Sequence, residues 1–77
     1  MTSVLNPAHQ RILQFIYDYI EQFGYAPTMQ EIAEGTGWSS RQAVWPHIQW
    51  LVKNGYLRNE RGKPRTIALT QKGMAEL

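Results

Sequence analysis

One stretch of this chain gathers side chains able to read a nucleic-acid base. Ser40, Arg41 and Gln42 stand together, and Trp45 and Gln49 follow Gln42 at spacings of three and four. At that spacing the three residues share one face of a helix. A glutamine can make two hydrogen bonds to adenine, an arginine can do the same with guanine, and an apolar ring can meet a thymine methyl. The amino terminus of a helix that begins at this serine also favours phosphate. A second group, Arg61, Lys63 and Arg65 around the stiff Pro64, is suited to the phosphate backbone or to a narrow minor groove. Lys53 and Arg58 extend it. Thr28 and Ser39, each at the approach to a helix, complete the expected DNA-facing set.

The same inventory argues against catalysis. His9, His47, Ser39, Ser40 and the carboxylates are the residues that could attack or move a proton, and no spacing among them matches a serine triad or a zinc site. His9 is expected near the start of one helix and His47 beside the buried face of another, packed and apart. The sequence contains no cysteine, which removes disulfides, thiolate metal sites and a thiol nucleophile. No catalytic residue, metal, cofactor or small-molecule ligand is expected.

The elements that must hold these residues follow from periodicity. Asn6 before Pro7 reads as a helix start. Ile12, Leu13, Phe15, Ile16, Tyr19, Ile20 and Phe23 then recur at helical spacing, so a helix is predicted over 7–23, closed by Gly24. Tyr25-Ala26-Pro27 should be extended. Thr28 and Glu31 have the spacing of a capping box and open a short helix over 28–35, which Gly35 and Gly37 should stop. Ser39 or Ser40 caps a third helix over 40–54, with Ser39 and Gln42 spaced as a second capping box. Its core face is Val44, Ile48 and Leu51, while Gln42, Trp45, Pro46, Gln49 and Lys53 face outward. An interior proline removes a helical hydrogen bond, so either a kink at Pro46 or a later start of the helix is expected. Strands 56–59 and 66–69 should make a hairpin over 56–69 with a basic tip, and Thr70 should cap a last helical turn over 71–77.

Two helices joined by a short glycine-containing turn make a helix-turn-helix. The fold class is therefore α+β, mainly α: a winged helix-turn-helix with a three-helix core and a C-terminal β-hairpin wing. The chain has 77 residues, 43% hydrophobic and 12% aromatic, enough for one domain with one core. Its charge is lopsided. Up to Val52, Arg11 and Arg41 face four acids, giving −2, whereas Lys53, Arg58, Arg61, Lys63, Arg65 and Lys72 outnumber Glu60 and Glu76, giving +4. A cationic end of this kind suits an anionic partner. No apolar run is long enough to cross a bilayer and the first residues do not form a signal peptide, so a cytoplasmic location is expected.

The run GYAPTMQEIAEGTGWSSRQAVWPHIQWLVKNGYLRNERGKPRTIAL resembles the amino-terminal DNA-binding domain of the LexA repressor family over about residues 5 to 69. The resemblance implies that the third helix enters the major groove, with Ser40, Gln42, Ala43, Trp45 and Pro46 on the base-reading helix and Arg41 beside them. It also implies that Lys63 and Arg65 make the wing contacts. Full LexA repressors carry a further domain that dimerises and cleaves itself; no cleavage segment is present in these residues, and that activity is not expected of them. The expected function is sequence-specific binding of double-stranded DNA by a small transcriptional regulator, a repressor, as a homodimer formed either free or only on DNA. The alternative is a protein-interaction module on the same scaffold that uses exposed Trp45 and Trp50.

Overall fold

In the computed structural model, which describes residues 5–60 and 62–77, helix α1 (Pro7–Phe23) begins where the Asn6 side chain accepts from the His9 amide at 2.8 Å. Pro7 occupies the first helical position, where no amide partner is needed. Its apolar stripe buries Ile12, Leu13 and Ile16 completely. Helix α2 (Met29–Thr36) opens on the expected capping box: the Glu31 amide donates to Thr28 Oγ1 at 3.1 Å and the Thr28 amide to Glu31 Oε1 at 2.8 Å. The helix runs through Gly35, where the Phe15 ring lies over the α-carbon and leaves no room for a side chain. It stops at Gly37, whose φ of 84° is the left-handed conformation that turns the chain toward the next helix.

Helix α3 (Arg41–Lys53) is capped by Ser40, whose hydroxyl accepts from the Ala43 amide. The second box expected of Ser39 and Gln42 is replaced by this one-residue shift. Val44, Ile48 and Leu51 point inward and meet Ile32 and Ala33 of α2 and the α1 stripe. The chain then forms β1 (Leu57–Arg58) and β2 (Ala68–Leu69), paired antiparallel with Leu57 opposite Leu69 and Arg58 opposite Ala68. These strands are half the expected length. Between them Pro64 has no amide to donate, and Thr66 Oγ1 takes over, accepting from the Glu60 amide at 3.0 Å and lying 2.9 Å from Asn59 Oδ1. Leu57 and Ile67 carry the hairpin's contribution to the core. Helix α4 (Gln71–Met74), capped by Thr70, is shorter than the expected 71–77 and packs against the end of α3. The three helices and the hairpin form a mainly helical winged helix-turn-helix. No helix among the described residues is long and apolar enough to cross a membrane.

Candidate nucleic-acid interface

Along α3 the outward residues form an unbroken row: Arg41, Gln42, Trp45, Pro46, Gln49, Trp50 and Lys53 are all exposed. The wing stands beside this row and the two enclose an open groove of about 860 Å³. Thr28, Arg41, Trp45, Gln49, Lys53, Lys63 and Arg65 line it. Its lining includes the buried Ile48 and Ile67 with Met29 and Val52, while Arg41, Lys53 and Lys63 are exposed along it. Gln42 lies outside this lining, with Met29, Arg41 and Trp45 around a smaller hollow of about 300 Å³. Trp45 is 39% exposed and belongs to both hollows, so its ring is a surface feature and not a core residue. A concave, cationic trough beside a helix with glutamine, arginine and an aromatic ring outward can hold one sugar-phosphate strand while the helix meets base edges.

Several of the expected site residues are engaged within the fold or lie elsewhere. Ser39 is exposed and precedes the helix, while Ser40 spends its hydroxyl on the cap. Thr28 likewise uses its hydroxyl within the capping box. Arg61 lies outside the described residues. Lys63 is exposed at the wing tip, with Glu60 at 3.4 Å.

Arg65 is unlike Lys63, although the sequence pairs them. Its guanidinium turns back across the surface of the fold, the side chain still 40% exposed, with Nη1 and Nη2 donating to the two Glu31 carboxylate oxygens at 2.9 and 3.1 Å and Nη1 also to the Ala26 carbonyl at 3.1 Å. It lies 4.9 Å from the centre of the Tyr25 ring. Nothing in local spacing announces this pair, because the partners are 34 residues apart.

A second pairing escaped the sequence reading, which kept the two histidines apart. His9 Nε2 lies 3.1 Å from His47 Nδ1, joining α1 to α3. Trp38 packs on His47, and Trp50 stacks on His9 at 4.8 Å. Trp50 is 41% exposed, yet one face of its ring belongs to the fold, which weakens it as a sign of an interaction surface.

Both pairings make stability depend on acidity. Burial, and secondarily the neighbouring His47, holds His9 below the usual imidazole range. The Thr28 amide, and then the Arg65 guanidinium, bring the Glu31 carboxyl down to about 2. For each group the unfolded chain binds more protons than the folded one, so acid destabilises the fold. Thermal midpoints should fall as pH drops through the ordinary histidine range near 6.5, and again through the ordinary carboxylate range near 4.5 toward 2. His9→Gln should flatten the first decline and Glu31→Gln the second. A midpoint constant from pH 7 to 5 in the parent would refute the histidine assignment.

The comparisons with known proteins point to one family. A family model described as the LexA DNA binding domain matches residues 2–66. A LexA repressor of Oenococcus oeni is 46% identical over 66 residues, which is 86% of this chain and 31% of that protein. One from Carboxydothermus hydrogenoformans is 39% identical over 67 residues, 87% of this chain and 33% of its own length. One from Lactiplantibacillus plantarum is 36% identical along 100% of this chain and 37% of its own length. The chain thus spans about a third of the length of the curated relatives it matches.

Proposed function

The chain belongs to the LexA DNA-binding domain family, and from that premise we propose that it reads double-stranded DNA as the recognition module of a cytoplasmic transcriptional repressor. In this reading α3 lies in the major groove, one DNA strand follows the trough between α3 and the wing, and the module acts by binding without catalysis. The observation that carries it is the exposed row on α3 facing Lys63 across a cation-lined groove. Arg41, Gln42, Trp45 and Gln49 read bases, while Lys53 and Lys63 hold phosphates. Such a module covers few base pairs, so two copies are expected on half-sites about one helical turn apart.

Anisotropy titrations against a duplex selected from random sequences test this. Three to five phosphate contacts give a slope of log affinity against log salt of about −2.7 to −4.5. Gln42→Ala should cost about tenfold on the selected duplex and little on random DNA, whereas Lys63→Ala should weaken both and make the slope shallower by about 0.9. Sedimentation of the same complexes should find two chains per site. A flat salt response would sink the DNA reading, and equal losses for both variants on both duplexes would overturn the assigned roles.

A further inference from the structure

The wing has little backbone to hold it in place. Its ladder is two residues per strand, so the attitude of its tip toward α3 must be set by side chains that cross to other elements. Arg65 is such a side chain. Among the described residues it is the one non-glycine with a left-handed backbone, φ 56°, a conformation that disfavours any side chain unless its surroundings compensate. The compensation is visible in the two-pronged contact with Glu31, the bond to the Ala26 carbonyl, the Tyr19 hydroxyl at 3.4 Å from Nη1, and the Tyr25 ring. Three parts of the molecule meet on one guanidinium: α1, the segment leading to α2, and the first turn of α2. Glu31 is shared, because the same carboxylate closes the capping box with Thr28.

We infer that Arg65 is a positioning residue, which braces the wing against the start of α2 through Glu31 and so sets the width of the trough that receives the DNA strand. The inference rests on the DNA-binding reading but reassigns one of its cations: Lys63 touches phosphate and Arg65 does not. A guanidinium already gripped on both terminal nitrogens has little to gain by exchanging a fixed carboxylate for a phosphate. The left-handed turn at residue 65 directs the side chain back toward Glu31 of α2 while Lys63, two residues before, is left at the tip.

Charge alone and bracing make opposite predictions for Glu31→Gln. Removing an acid beside the phosphate path should tighten binding if Glu31 is only a charge. If it is the anchor of the brace, binding should weaken, by about fivefold or more, because the wing loses its set position and ordering it on DNA opposes association. Glutamine can still close the capping box, so α2 is retained. Arg65→Gln should weaken binding to a similar degree, leave the salt slope within about 0.3 of the parent, and add less than about twofold in the Glu31→Gln background. Arg65→Lys, which keeps the charge but not the fork, should not restore affinity.

A second measurement stands apart from DNA. In the free protein the Lys63 amide donates to the Glu60 carbonyl and the Glu60 amide to Thr66. Glu31→Gln should speed hydrogen exchange of these wing amides by about tenfold while the amides of α1 keep their protection. The inference is overturned if Glu31→Gln tightens binding, if Arg65→Lys binds like the parent while Arg65→Gln loses about 0.9 of salt slope, or if wing exchange is unchanged. A parent chain that bound no duplex would defeat the DNA reading instead, and the exchange experiment would still decide the brace.

Discussion

Pro46→Ala is expected to stabilise the domain by about 2 kcal/mol and to change the DNA sequence it prefers. Pro46 is the sixth residue after the Ser40 cap and lies beyond the first turn, where a helix no longer tolerates a missing amide. The carbonyl of Gln42 therefore lacks its usual helical donor four residues on. The helix nonetheless continues without a break from Arg41 to Lys53, so the packing of Val44, Ile48 and Leu51 outweighs the local cost. Alanine restores the bond, worth roughly 3 kcal/mol in a helix interior, and gives back about 1 kcal/mol through a freer unfolded chain. A gain of that size should raise the thermal midpoint by about 10 °C in a domain this small. Trp45 and Gln42 flank the changed turn on the face that meets DNA, so small shifts in their positions alter base contacts. Selection from random duplexes should return a different consensus. A variant with the parent's midpoint and consensus would show that α3 accommodates the ring without cost.

That expectation comes from the part of the molecule most legible in its sequence. Helical faces are set by spacing, so buried Ile12, Leu13 and Ile16 of α1, the core face of α3 and its outward row follow from periodicity, whereas Phe23, read on the same α1 stripe, is 47% exposed and His9, read outside it, is buried. Caps follow from residue type, as Asn6 and Thr28 show, but type alone does not choose between adjacent candidates such as Ser39 and Ser40. Side-chain partners brought together from distant parts of the chain are a different matter. Arg65 and Lys63 are alike in type and both occur in the basic tip. Only the folded chain reveals that one faces Glu31 and the other solvent. His9 and His47 are each unremarkable in their own helices, and meet because α1 and α3 share the core. The shortened strands have the same origin. Tyr56 to Asn59 and Thr66 to Leu69 have the composition of strands, but pairing beyond two residues is lost where Thr66 takes the hydrogen bonds that a ladder would use.

Gly73→Ala should destabilise the domain by about 3 kcal/mol, lowering its thermal midpoint by at least 10 °C. In a helix, alanine ordinarily improves on glycine by up to about 1 kcal/mol, so the expected sign is contrary to propensity. The reason is contact. A β-carbon at residue 73 would stand 2.1 Å from the carbonyl oxygen of Tyr56. That oxygen is backbone, already bonded to the Thr70 amide at 3.1 Å, and cannot swing aside as a flexible side chain would. To relieve the overlap α4 must move away, and with it go the Lys72 ammonium from the Asn54 carbonyl at 2.9 Å and from the Tyr56 ring. Lys72 there neutralises the negative end of α3, and Tyr56 is buried beneath it. Since Tyr56 leads directly into β1, the displacement reaches the base of the wing and so the trough beside α3. Thermal unfolding of Gly73→Ala should therefore show the drop, and at a temperature where the variant is still folded its duplex affinity should also fall. Gly73→Ser should behave like alanine, because the clash belongs to the β-carbon and not to the group beyond it. If either variant unfolded at the parent's midpoint, the close seating of α4 on Tyr56 would not contribute to stability.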